Sequence, residues 1–277
     1  MYKINEISVE HHSYCNRTCP WCSNSVFPRD KYEELNEDSF IKMLTSIADN
    51  RRYFADRLVL SCCRYNEPFF NIELANKRNA LIRKILPDVK IQGNTNGDFL
   101  TKEKLLSMDM DKLNILDYDM KGVEECKKIM EDLGITYMGM DPKNNNRIMG
   151  RHPNIKSITY RADFFETAKL QDRGGVLDTV SVTLNGEEKV LIEKIKRDFP
   201  CTMVLTTASV DYNGDVFLCY NMRTDNKAHK KFCVGNINKK DFFKIVSGTT
   251  ANKVRKLVKG EDNFPKECEY CTNRRKV

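Results

Sequence analysis

The chain has 277 residues, 40% hydrophobic and 31% charged, enough for a sizeable core in one large domain, or a large and a small one, beneath a well-solvated surface. No apolar run approaches the roughly 20 residues of a membrane span, and the opening Met-Tyr-Lys-Ile-Asn-Glu lacks a signal peptide's apolar stretch, so the expectation is a cytoplasmic protein with no membrane partner. The net charge of +7 comes from scattered pairs (Arg51-Arg52, Lys230-Lys231, Lys239-Lys240) and the run Arg274 to Lys276; none interleaves with aromatics, which argues for a mild bias toward anionic substrates and against nucleic acid.

Ile4 to His11 alternates apolar and polar residues, the pattern of a first strand. A cysteine-rich loop follows. Glu37 to Phe54 is helix-periodic, with Phe40, Ile41, Leu44 and Ile47 on one face and Asp38 or Ser39 as the predicted cap. Leu58 to Leu60 is a buried strand, Ile72 to Leu86 a helix, and Lys90 to Gly93 a strand ended by Asn94-Thr95-Asn96-Gly97. Lys102 to Met108 is a short helix and Leu113 to Leu116 a strand. Val123 to Leu133 is helical, Ile135 to Met140 a strand, the polar stretch between Met140 and Arg151 a loop, and Ile155 to Tyr160 a strand. Alternation of this kind implies parallel βα units, and six repeats imply an open, partial barrel. The alternation stops after Arg173-Gly174-Gly175. Val204 to Tyr220 holds two β-rich runs around Asn213-Gly214, a hairpin signal, and short helices follow near Asp241 to Val246 and Thr250 to Lys259. The predicted fold is therefore α/β, a partial (β/α)6 TIM-like barrel over residues 1–185 with a small hairpin-plus-helix domain over 186–277.

Eleven cysteines in a chain of this class point to metal ligation rather than disulfides. Cys15, Cys19 and Cys22 form a CxxxCxxC array on the loop after strand one. Three thiolates at that spacing can hold three irons of a cubane cluster and leave the fourth open, whereas zinc wants two ligand pairs. The array, with Trp21 just before its last cysteine, resembles that of the radical S-adenosylmethionine (SAM) enzymes. The resemblance implies a [4Fe–4S] cluster whose open iron chelates SAM, a one-electron reductant of flavodoxin or ferredoxin type, and hydrogen abstraction from a substrate. It also implies the partial barrel that the alternation predicts.

Cys201 and Cys219 flank the hairpin, and Cys268-Glu269-Tyr270-Cys271 is a CxxC near the terminus. Spacing alone leaves zinc and iron both open. The arrangement, with Val234-Gly235-Asn236-Ile237, resembles the twitch form of the SPASM domain, which implies a second, fully ligated [4Fe–4S] cluster. Cys62, Cys63, Cys126 and Cys233 remain. Lone cysteines are usually packed apolar groups, but Cys62 or Cys63, ending strand two, can donate hydrogen to a radical, and Cys233 can be a spare thiol beside the second cluster.

Tyr65-Asn66-Glu67-Pro68 resembles the family's Gly-Gly-Glu-Pro segment, which makes Asn66 and Glu67 candidates for the SAM amino group. Thr95 and Asn96 fall where the family approaches the methionyl and ribose groups, and Trp21 joins this cofactor set. Asp117 and Asp119, after strand four, suit ribose hydroxyls or helix capping equally. The nearest resemblance is to twitch-containing radical SAM dehydrogenases that oxidise an aminocyclitol alcohol in natural-product biosynthesis. It covers most of the chain but is poor over 105–160. It assigns Tyr65 and Arg173 to the substrate site, the latter on the Arg173-Gly174-Gly175 turn. The expected activity is two-electron oxidation of a small polyol or amino sugar. The alternative is epimerisation, crosslinking or oxidation of a ribosomally made peptide.

Overall fold

The computed structural model describes residues 3–167, 170–259 and 264–271. The basic run Arg274 to Lys276 lies outside them. β1 (Ile4–Val9) sends Ile7 and Val9 into the core, and Glu6 and Ser8 line a cavity on the other face, the period-two alternation of a strand. α1 (Glu37–Asp49) buries Phe40, Met43, Leu44 and Ile47 on one stripe, each contributing roughly 1.5–3 kcal/mol. Its cap is Asn36, whose side chain accepts from the Ser39 amide at 2.9 Å; Asp38 and Ser39, the expected caps, already lie in the first turn. Phe54, expected at the helix end, opens β2 (Phe54–Ser61) instead. α2 (Ile72–Ile85), β3 (Lys90–Thr95), α3 (Lys102–Ser107), β4 (Met110–Leu116) and α4 (Gly122–Asp132) follow as the alternation predicts.

The next segment departs from that pattern. β5 (Thr136–Asp141) and β6 (Asn144–His152) form a hairpin in which Asp141 faces Asn144 across only Pro142 and Lys143. Two residues can join antiparallel strands alone, since a parallel crossover needs a dozen or more. The expected parallel strand at 135–140 is thus an antiparallel edge strand, and most of the expected loop is β6. β7 (Ile155–Arg161) then pairs antiparallel with β6 and parallel with β4.

After α5 (Phe164–Thr167) comes an unforeseen two-stranded ribbon, β8 (Val180–Leu184) and β9 (Glu187–Ile192), and residue 185 lies in its turn. The expected β-run from Val204 begins with a helical turn, α6 (Met203–Thr206). It leads into β10 (Thr207–Val210), β11 (Asp215–Phe217) and β12 (Gly235–Asn236), then α7 (Phe242–Ser247) and α8 (Thr249–Lys259). Asp241 caps α7 through the Lys244 amide.

One ten-stranded sheet results, in the order β12-β11-β10-β1-β2-β3-β4-β7-β6-β5. Its six parallel strands are β10, β1, β2, β3, β4 and β7, so the sixth comes from the C-terminal part. A continuous core runs from Ile4 through the barrel to Val258, which fastens the C-terminal helices to the sheet. A second cluster, including Trp21, Phe164, Phe165 and Ile192, ties the ribbon to the cysteine loop. No described helix is long and apolar enough to cross a membrane.

Candidate active site

Parallel strands leave their C-terminal ends on one side of the sheet, and the loops there enclose a cavity of about 370 Å³. Cys15, Cys19 and Cys22 line it together. The Cys22 amide donates to the Cys19 carbonyl at 2.9 Å, and the Cys15 amide to Arg29 O at 3.3 Å, so backbone bonds shape the loop. Burial pushes the thiols of Cys15 and Cys19 up to about 12 and about 11. Half-buried thiols of this kind ionise only with a cationic partner, which suits the donor set to a metal cluster.

Four sequence-predicted residues of the following loops also reach the cavity: Asn66, Glu67, Thr95 and Asn96. Glu67 is buried, and its carboxylate accepts from Thr95 Oγ1 at 2.6 Å, the Asn96 amide at 3.0 Å and the Phe69 amide at 3.3 Å. It therefore clamps the β2 loop to the β3 loop. Burial pushes its carboxyl up to about 7 against these bonds. Asn96 also donates to Asn16 Oδ1 at 3.0 Å, joining the cysteine loop to the same frame.

Asp117 and Asp119 are not on this wall. Asp117 is buried and accepts from the Asp119 amide and the Gly122 amide, each at 3.2 Å, so it organises the turn into α4. Asp119 pairs with Arg17 at 2.8 Å and Lys121 at 2.7 Å, which hold its carboxyl well below the usual range. Asp117 thus braces the turn before α4 and Asp119 is held in an ion pair. Arg17, which sequence reasoning missed, also grips Asp98 at 2.5 Å and so bridges the loops after β1, β3 and β4.

Tyr65 is buried against three guanidinium groups, with the carbons of Arg223, Arg64 and Arg29 at 4.7, 5.3 and 5.7 Å from its ring centroid. Its hydroxyl donates to Asn221 O at 2.9 Å, and its amide donates to Glu10 at 3.0 Å. Glu10 and Asp225 both pair with Arg29, at 2.5 and 2.8 Å, and Arg64 pairs with Asp211. These buried charges neutralise one another, and they lock the β1 and β2 ends to the segments after β10 and β11.

Arg173 has φ +54, and Gly174 and Gly175 follow at +71 and +76, so three consecutive left-handed residues turn the guanidinium toward the cavity. It reaches the Trp21 carbonyl at 3.4 Å and Asn221 Oδ1 at 3.5 Å. Burial opposes its charge, the ionisable Tyr65 and Cys22 beside it favour it, and a guanidinium in this setting stays protonated. Trp21 packs on Tyr118 and Phe165, with centroids at 5.6 and 4.8 Å; Tyr118 and Phe164 complete an aromatic wall that no motif signalled. Of the thiols after β2, Cys63 lines the cavity and Cys62 packs into the core. Cys126 is likewise buried.

Behind this site, Cys201, Cys219, Cys268 and Cys271 line a second cavity with apolar walls that include Met203, Val204 and Phe232. Cys233 is not on it; its thiol donates to Gly235 O at 3.3 Å. Burial pushes the Cys268 thiol up to about 12, with Arg197 opposing. Among the described residues no three Cys, His, Asp or Glu converge tightly enough for a single metal ion. A cubane presents its irons at separate corners and takes thiolates at wider spacing. The two cavities nearly meet: Tyr220 lines the first, Cys219 and Asn221 the second, and Gly174 backs onto the second while Arg173 faces the first.

Residues 201–272 match the SPASM family, an iron–sulfur cluster-binding domain. All four C-terminal cysteines fall inside that match, which decides for iron–sulfur over zinc. The chain is similar to the S-adenosyl-L-methionine-dependent 2-deoxy-scyllo-inosamine dehydrogenase of Niallia circulans, with 24% identity over 270 residues, 96% of this chain and 92% of the relative. It is similar in fold to the crystal structure of BtrN in complex with AdoMet and 2-DOIA, with TM-score 0.68, 21% identity, and 99% and 95% of the two chains covered. An open conformation of BtrN superposes with TM-score 0.60 at 18% identity, covering 98% and 92%.

Proposed function

We propose that this chain, a radical SAM protein with a SPASM-type auxiliary-cluster domain, is an oxidoreductase that removes two electrons from a small hydroxylated substrate, a polyol or amino sugar. The observation that carries this reading is the single cavity shared by the cysteine triad, the β2 and β3 loops, Tyr65 and Arg173, with the four-cysteine cavity directly behind it. The similarity to a SAM-dependent dehydrogenase along nearly the whole chain supports the same reaction class. When bound, a reduced [4Fe–4S] cluster on Cys15, Cys19 and Cys22 with SAM supplies hydrogen abstraction, and a second cluster on Cys201, Cys219, Cys268 and Cys271 supplies a one-electron acceptor.

The chain's own residues do the rest. Arg173, permanently protonated, orients a substrate hydroxyl and does not take its proton, which is released to solvent as the second electron leaves. Tyr65, with its O–H committed to Asn221, borders the substrate as a fixed wall. Glu67, Thr95 and Asn96 hold the cofactor-facing loops in register, and Trp21, Tyr118 and Phe164 exclude water on one side. Asp117 and Asp119 shape the β4 loop. The reading includes a barrel whose sixth parallel strand, β10, comes from the C-terminal part, an auxiliary-cluster domain built around the second cysteine set, a flavodoxin- or ferredoxin-type reductant, and the cytoplasm as compartment.

The test is anaerobic turnover of the reconstituted protein with SAM, reductant and a panel of polyols and amino sugars in deuterated water. A product lighter by two hydrogens, formed one-for-one with 5′-deoxyadenosine, is expected. A product of unchanged composition that carries one solvent deuterium, and is no longer formed by a Cys63→Ala variant, refutes the oxidation.

A further inference from the structure

We infer that Arg197 sets the reduction potential of the auxiliary cluster, stabilising its reduced form through a buried, fixed positive charge beside the cysteine set. The inference rests on the assignment of that cluster to Cys201, Cys219, Cys268 and Cys271. Arg197 lines the same cavity as all four cysteines and is 4% exposed. It is held in place from several sides. Its backbone amide donates to Glu269 O at 2.7 Å, within the CxxC loop. Its Nη2 donates to Val258 O at 3.0 Å, near the end of α8. Its guanidinium carbon lies 3.5 Å from the Phe264 ring centroid, a stacked arrangement. Nε, in contrast, is buried with no hydrogen-bond partner.

A buried donor left open on a cavity wall is costly unless it meets an acceptor there, and thiolate and sulfide sulfurs are the acceptors that a cluster brings. The acid on the same wall, Glu267, is paired with Lys231 at 2.7 Å. A cluster gains one negative charge on reduction. A guanidinium charge set in a low-dielectric wall favours that state. Net charge and hydrogen bonds to sulfur are the two levers by which a protein tunes such a potential, and Arg197 supplies both. A more readily reduced acceptor suits a site that must take an electron from an oxidised substrate.

The experiment is an anaerobic redox titration, followed by electron paramagnetic resonance, of the full chain carrying Cys19→Ala, in which the auxiliary cluster is the one retained. Arg197→Gln should move the midpoint negative by at least a tenfold change in the one-electron equilibrium, about 59 mV. Arg197→Lys, which keeps the charge, should shift it less than half as far. An unchanged midpoint in the glutamine variant, or equal shifts in both, overturns the inference. Where a variant fails to load iron, native Arg197 is read directly: with 15N-labelled arginine, the reduced auxiliary cluster should show a nitrogen hyperfine coupling, and its absence also overturns the inference. A Cys19→Ala protein that holds zinc, or no iron at all, refutes the auxiliary cluster itself, an outcome distinct from failure of the Arg197 role.

Discussion

Gly175 gives a direct test of how the Arg173-Gly174-Gly175 turn supports the auxiliary site. Its φ is +76, and a Cβ built on it would sit 3.1 Å from the Cα of Glu267 and 3.7 Å from the carbonyl of Lys266. Alanine in the left-handed region costs about 1–2 kcal/mol. The contact with Glu267 is to backbone, which cannot swing aside as a side-chain tip can, so overpacking adds about 1–3 kcal/mol. Together Gly175→Ala should cost roughly 2–5 kcal/mol. The strain falls on the turn whose Cys268 amide bonds Pro265 O at 2.7 Å, immediately before the CxxC ligands. Gly186 is the control: its φ is +83 and nothing lies within 4 Å of its Cβ position, so Gly186→Ala should cost only the conformational term, about 1–2 kcal/mol. The assay is iron and sulfide content after identical anaerobic reconstitution, together with urea midpoints of the loaded proteins. Two four-iron clusters give about eight irons per chain. Gly186→Ala should keep that number, and Gly175→Ala should fall toward half of it. Equal midpoints with full iron in both would refute the claim that this turn braces the auxiliary ligands.

Cys19→Ala should abolish reductive SAM cleavage while leaving the auxiliary irons bound, read as loss of 5′-deoxyadenosine with about half the iron retained. Tyr65→Phe removes the O–H bond to Asn221 and leaves that carbonyl unpaired, so a loss of about 1–3 kcal/mol in unfolding free energy is expected. His11 is pushed down to about 3 by burial and by Arg78, so its folded form resists protonation. Below the unfolded value of 6.5 the unfolded chain takes up a proton that the folded chain does not, and stability falls with falling pH by about 1.4 kcal/mol per unit until about pH 3. Between pH 6.5 and 5 that amounts to about 2 kcal/mol, and His11→Leu should flatten the slope of urea midpoints over that window; parallel slopes would contradict it.

The sequence by itself determined the chemistry, because ligand spacing is a local property. CxxxCxxC on the first βα loop and the paired cysteines about the Asn213-Gly214 hairpin carry their meaning along a few residues of chain. Most of the helices and strands were legible for the same reason: periodicity is short-range. Even the choice of Cys63 over Cys62 was latent in it, since Ser61, Cys63 and Tyr65 share one parity with the cavity-lining face, and Leu60 and Cys62 share the other. Tertiary structure decided what depends on distant partners. The segment 135–141 had the composition of another parallel strand, and a two-residue connection made it an antiparallel edge. Asp117 and Asp119 had the right address for ribose, and the α4 turn and Arg17 claimed them instead. Tyr118, Phe164 and Arg197 belong to no motif, and Arg17 sits inside the cysteine array without being one of its ligands; they matter because chain folding brings positions tens of residues apart together. The second cysteine set could be counted in one dimension, but its place beside Tyr220 and Arg173 follows from β10 pairing with β1, a register that only the packed sheet fixes.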